Sequence, residues 1–139
     1  MRDFAVTPKT IQRLRSIQRL IGLGGSKADY ADIVDMGAAL LIAEYKLSKL
    51  PSYEWRRQSL SIAAVAHGRS PRSRQISVNN TWLPILREAH GPGERDVGMM
   101  IEAGVFLLHN ACVDAYGQPT PFCKAAFGYH DKPAIITGL

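Results

Sequence analysis

The chain is poor in the residues that staple or anchor small proteins. Only two of its 139 residues are cysteine, Cys112 and Cys123. That is too few for a disulfide framework, and free thiols are expected. His109, Cys112, Cys123 and His130 could be gathered as metal ligands, but there is no C-x-x-C pair and the spacing matches no standard zinc motif. No metal and no other cofactor is therefore expected. Long apolar runs are missing too. The longest, Gly37 to Ala43, is far too short to span a bilayer, so no membrane association is expected. Met1-Arg2-Asp3-Phe4 lacks the apolar core of a signal peptide, which points to the cytoplasm. Catalytic signatures are equally thin. Gly22-Leu23-Gly24-Gly25 has neither a preceding strand nor the P-loop lysine pattern. His109, Cys112 and Asp114 lie too close along one helix to converge on a common centre. No enzyme is expected.

Acid is absent from whole stretches. Residues 1–27 hold Arg2, Lys9, Arg13, Arg15, Arg19 and Lys27 against Asp3 alone, and no acid lies between Glu54 and Glu88, where Arg56, Arg57, Arg69, Arg72, Arg74 and Arg87 fall. The acids collect at Asp29, Asp32, Asp35 and Glu44, and again at Glu94, Asp96 and Glu102. The net charge of +5 points toward a polyanionic partner.

What is present is a pattern of short strands and apolar-striped helices. Phe4 and Val6 alternate with Asp3 and Ala5 in a short extended stretch. Thr7-Pro8 then opens a helix in which Ile11, Leu14, Ile17, Leu20 and Ile21 form one stripe and Gln12, Arg13, Arg15, Ser16 and Arg19 the other face. Gly22, Gly24 and Gly25 end it. A second helix is expected to open at Ser26 as its cap and to run through Tyr30, Ile33, Val34, Gly37, Leu40, Leu41 and Tyr45, apolar enough to be buried. Ser52 to Ala66 reads as a further helix, and residues 67–73 as a flexible basic linker. Arg74-Gln75-Ile76-Ser77-Val78 alternates as a half-buried strand. Asn80 or Thr81 then caps a helix with Pro84 in its first turn, and a long apolar helix runs from about Glu94 to Ala115. Residues 117–139 read as an irregular tail, with Ile135-Ile136 a short strand or anchor.

The two halves follow one plan. A shift of 72 residues matches Phe4 to Ile76, Val6 to Val78, Ile11 to Leu83, Leu14 to Leu86 and Arg15 to Arg87. A shift of 67 matches Asp29 to Asp96, Val34 to Ile101, Asp35 to Glu102, Gly37 to Gly104 and Leu41 to Leu108. A lone short strand leaves its backbone groups unpaired, so two copies are expected to pair their strands and bury their helical stripes together. The expected fold is mostly α with a two-stranded antiparallel ribbon. It occupies residues 1–116 as a single domain: unit one at 2–45, a connecting segment at 46–73 and unit two at 74–115.

Phe4-Ala5-Val6-Thr7-Pro8 with Gly24-Gly25-Ser26-Lys27-Ala28-Asp29, and Ile76-Ser77-Val78-Asn79 with Gly91-Pro92-Gly93-Glu94-Arg95-Asp96, resemble the ribbon-helix-helix superfamily. The single-chain pair of units looks like the accessory proteins of conjugative relaxosomes and of T-DNA transfer. The resemblance implies a tandem ribbon-helix-helix fold, an intramolecular pseudo-dimer, that binds double-stranded DNA with its ribbon in the major groove. It would act as a transcriptional regulator or plasmid-transfer accessory protein, with further copies of itself or a transfer or regulatory protein as additional partners. The strand residues facing away from the core would read bases: Asp3 and Ala5 in the first strand, Ser73, Gln75 and Ser77 in the second. Asp3 and Ala5 depart from the polar or basic readers usual in the family, so the second strand is the expected reader. The starts of the two second helices would hold phosphates, through Ser26 and Lys27 in one and Gly93 and Arg95 in the other. Arg69, Arg72 and Arg74 would follow the DNA backbone. The alternative is a helical protein–protein interaction module, antitoxin-like or an adaptor, that reads no bases.

Overall fold

Alternation decides the first element. In the five-residue strand β1 (Arg2–Val6), Phe4 and Val6 are buried while Asp3 and Ala5 are exposed. So short a strand is marginal alone. In the computed structural model it pairs antiparallel with β2 (Arg74–Val78), placing Asp3 opposite Ser77, Phe4 opposite Ile76 and Ala5 opposite Gln75. Ile76 and Val78 are buried beside Phe4 and Val6, so the ribbon has one apolar face and one open face. The structure describes residues 2–67, 71, 73–79, 81–90 and 94–128, without the side chains of Arg2, Ser52, His67, 87–90 and 94–96.

Among the described residues the remaining elements are six helices: α1 (Pro8–Leu23), α2 (Tyr30–Ser48), α3 (Ser52–His67), α4 (Leu83–His90), α5 (Glu94–Cys112) and α6 (Pro121–Ala126). Thr7 caps α1, its hydroxyl accepting from the Thr10 backbone N–H, and Pro8 opens the first turn where its missing N–H costs nothing. Leu14, Ile17, Leu20 and Ile21 are buried. Gly25, at φ 86°, turns the chain after α1 in a left-handed conformation that glycine takes without strain. The second helix opens later than Ser26. Asp29 is its cap, accepting from the Asp32 backbone N–H, while the Asp32 carboxylate accepts from the Asp29 N–H. This reciprocal pair satisfies two end groups at once. The Ser26 hydroxyl instead donates to the Gly128 carbonyl at 3.1 Å.

The core lies where α2 crosses α5, with α1, α3 and the ribbon packed around it. The crossing is close because both helices present glycine. A methyl group on Gly37 would lie 2.9 Å from the carbonyl carbon and oxygen of Gly104, and one on Gly104 would lie 2.8 Å from the Gly37 oxygen. Those are the two glycines that the shift of 67 residues matches, just as the shift of 72 matches the cross-strand partners Phe4 and Ile76. Within the connecting segment α3 is held by packing, whereas most of the expected linker at 67–73 lies outside the described residues. Trp55, Ser59, Ala63 and Ala66 form the buried row of α3 against α5, and the Tyr45 and Trp55 rings meet with centroids 4.4 Å apart.

The chain after α5 departs from the expected irregular tail. α5 stops at Cys112, three residues before Ala115, because Val113 bridges to Pro119 and the Thr120 N–H donates to the Cys112 carbonyl. Thr120 then caps α6 with Pro121 in its first turn, and Cys123 is fully buried. Ile135-Ile136 lies outside the described residues. Among the described residues, no helix is long and apolar enough to cross a membrane.

Candidate nucleic-acid interface

The open face of the ribbon carries four of the five residues expected to read bases, and the fifth, Ser73, immediately precedes β2. Asp3, Ala5, Ser73, Gln75 and Ser77 are all exposed. They are not equivalent. The Ser77 hydroxyl donates to the Asp3 carboxylate at 2.6 Å, so these two cross-strand neighbours satisfy each other. At the other end Gln75 stands opposite Ala5, whose methyl offers it no polar partner. Next to Gln75, Arg74 is exposed at the start of β2, opposite Val6.

From this end of the ribbon a groove of about 700 Å³ runs between β2, the outer side of α1 and the first turn of α2. Arg15, Gln12 and Gln18 line it from α1, Arg74, Gln75 and Ser77 from β2, and Asp29 and Tyr30 from α2. Its two cations face one acid.

Of the residues expected to hold phosphates, the structure describes some and not others. Ser26 and Lys27 precede α2 rather than forming its first turn, and Lys27 is exposed. The N-terminal N–H groups of Asp29 and Asp32 are taken by each other's carboxylates. The free amides and positive dipole that attract an anion to a helix start are thus offset here by two acids. Arg69, Arg72 and Gly93 lie outside the described residues, as does the side chain of Arg95, which sits in the first turn of α5.

Two polar clusters hold the ribbon end of the molecule together, and neither is obvious in the sequence. In one, Glu102 of α5, fully buried, accepts at a single oxygen from the Thr7 hydroxyl at 2.8 Å, the Thr10 hydroxyl at 2.8 Å and the Thr7 N–H at 3.3 Å. In the other, Asp35 of α2 accepts from the Asn79 amide at 2.7 Å and the Trp82 indole N–H at 2.6 Å. The repeat relates them throughout: Asp35 matches Glu102, Thr7 matches Asn79 and Thr10 matches Trp82. Each acid takes its bonds from the opposite half of the chain. The available signal was an acid at matched positions of two otherwise apolar helices.

Arg13 also departs from its expected place on the solvated face of α1. It is half-buried, donates to the Ala66 carbonyl at 2.7 Å and lies over the Phe106 ring, 5.0 Å from its centroid. Burial lowers its pKa, and the nearby Glu102 charge works against that shift. His109, half-buried on α5, is held below its ordinary value by burial and then by the Arg13 charge. Cys112 and Cys123 are both buried, and burial pushes both thiols up, which makes them poor nucleophiles at neutral pH. His130 lies outside the described residues, and among those described no three of His, Cys, Asp and Glu gather as metal ligands would. Compared with known proteins, the chain matches no family model, no curated protein and no solved structure.

Proposed function

We propose that this chain is a non-enzymatic, sequence-specific DNA-binding protein in which two ribbon-helix-helix units pair within one polypeptide and lay their ribbon in the major groove. The observation that carries this reading is a one-faced ribbon in which residues matched by the repeat stand opposite each other. Phe4 faces Ile76 in the sheet, Gly37 backs onto Gly104 in the helix crossing, and Glu102 and Asp35 each bond the other half. These three relations support an approximate two-fold axis running from the ribbon down through the α2–α5 crossing. A two-stranded ribbon with an apolar face below and polar side chains above fits a groove about 12 Å wide. The biological role would be transcriptional regulation or plasmid-transfer accessory work, on a site as asymmetric as the ribbon itself.

The test is an electrophoretic shift of the full chain on duplexes that include its own upstream region. A shift that weakens as salt rises is expected, since each neutralised phosphate releases counterions. No shift of any duplex at low salt would overturn the proposal.

A second reading, a helical interaction module, draws on different observations. Asp3 and Ser77 satisfy each other, and α2 and α3 expose Leu47, Tyr53 and Val65 at 81%, 68% and 70%. Here the ribbon only ties the halves together. Loss of a partner on changing Tyr53 and Val65, with no DNA shift in the wild type, would favour it.

A further inference from the structure

We infer that the DNA backbone is held along the flank of the first helix, in the groove of Arg15 and Arg74, rather than at the start of the second helix. This inference rests on the DNA-binding reading above. Three observations carry it.

The first is what occupies the start of α2. Asp29 and Asp32 close on each other's backbone N–H groups at 2.8 and 3.1 Å, so a phosphate approaching there meets two carboxylates and no free amide from those residues. The Ser26 hydroxyl is turned to Gly128. The second is the groove itself. It brings Arg15 and Arg74 into one concavity of about 700 Å³, with the amides of Gln12, Gln18 and Gln75 alongside and Asp29 at the α2 side. Both arginines are exposed, unlike Arg13, which is engaged with Ala66 and Phe106. A planar guanidinium is well matched to phosphate oxygens. Arg74 is next in the chain to Gln75, so a strand held there leaves Gln75 over the base edges.

The third observation is the repeat. The shift that pairs the two strands also matches Arg74 to Arg2 and Arg15 to Arg87, so both halves carry the same arginine pair. The shift that pairs the second helices matches Lys27 to Glu94, so the lysine ahead of α2 has an acid as its counterpart. The arginines therefore recur in both halves and the lysine does not. By this match, Arg2 and Arg87 would follow the second backbone flanking the ribbon.

The experiment is a fluorescence-anisotropy titration of the full chain on a shifted duplex and on a random duplex, at several salt concentrations. Changing Arg15 and Arg74 together to Gln is expected to weaken binding to both duplexes about ten-fold or more and to lower the salt slope by about two. The Arg2→Gln, Arg87→Gln pair is expected to do the same. Lys27→Gln should change the slope by less than half as much. Lys46→Gln, about 24 Å along α2 from the groove, should leave it unchanged. Circular dichroism checks that each variant is folded. If the wild type binds and the Arg15, Arg74 variant keeps its affinity and slope, the groove assignment is overturned while DNA binding stands. A Lys27→Gln effect larger than that of the arginine pair overturns it in favour of the helix start. If the wild type binds neither duplex at low salt, the DNA-binding reading falls and this inference with it.

Discussion

Two acids at matched positions hold the two halves together, yet they live in different solvents. Glu102 is fully buried and has one oxygen crowded by three donors while its other oxygen has no hydrogen-bond partner among the described residues. Asp35 is half-buried and uses both oxygens, one on Asn79 and one on Trp82. Both acids bond across to the opposite half; the cost of losing those bonds is not the same. Donors stranded in a dry interior forfeit their hydrogen bonds, whereas donors at a half-open site can turn to water. The comparison teaches that one plan, repeated, need not be stabilised equally on both sides. Of the two sides, the one holding β1 and α1 to α5 is the less forgiving.

Removing the buried acid should therefore have the largest effect. Glu102→Ala strands the Thr7 and Thr10 hydroxyls and the Thr7 N–H, and is expected to destabilise the chain by about 3–5 kcal/mol in urea unfolding. Glu102→Gln keeps an acceptor and should lose less. A Glu102→Ala chain as stable as the wild type would mean that water reaches this site.

The next effect concerns the crossing that both latches flank. Helix propensity alone says Gly→Ala gains about 1 kcal/mol. At Gly37 the new methyl would press on the Gly104 backbone at 2.9 Å, and backbone cannot step aside as a flexible side chain can. Gly37→Ala is expected to cost about 1–3 kcal/mol. Gly22→Ala, with nothing within 4 Å of its methyl, should be neutral or stabilising. The contrast in urea midpoints between these two variants measures the closeness of α2 and α5 directly.

Asp35→Ala should come third, at about 1–2 kcal/mol, because Asn79 is half-buried and water can replace the lost carboxylate. Trp82 reports on it, since its indole N–H donates to Asp35. A change in its fluorescence is expected in the Asp35 variant. A loss as large as that of Glu102→Ala would erase the difference between the halves.

The comparison also explains what could be read from the sequence. The alternation of β2 and the stripe of α1 are local patterns, and the observed elements follow them. The match of Asp35 to Glu102 was visible as well. Their partners were not, because Thr7 and Glu102 are 95 positions apart and no local rule joins them. The start of α2 was misplaced because Ser26 and Asp29 are both good caps. Asp29 prevails through its reciprocal bond with Asp32, which Ser26 cannot make with Asp29 once its hydroxyl reaches Gly128. Arg13 lies three residues after buried Thr10 and four before buried Ile17, a spacing that puts it on the same side of the helix. Its charge hid that geometry. α6 is six residues long, too short for a periodic stripe, although Thr120-Pro121 repeats the opening of α1 at Thr7-Pro8.

The smallest expected effect is the pH dependence that the buried side confers. His109 shares its surroundings with Arg13, which in turn feels Glu102. Burial, then the Arg13 charge, holds the folded His109 below its ordinary value of 6.5. The unfolded chain therefore takes up a proton there before the folded chain does. Below the unfolded value the unfolded state binds more protons, so stability falls as pH falls. The contribution is whole above about pH 6.5 and is lost progressively on acidification toward the folded value. His109→Gln removes this one titration and leaves every carboxylate and the other histidines in place. The wild type is expected to lose more of its urea midpoint than the variant between pH 7.5 and pH 5.5. Equal losses would mean that His109 sits in water-like surroundings, and that Arg13 is screened from it.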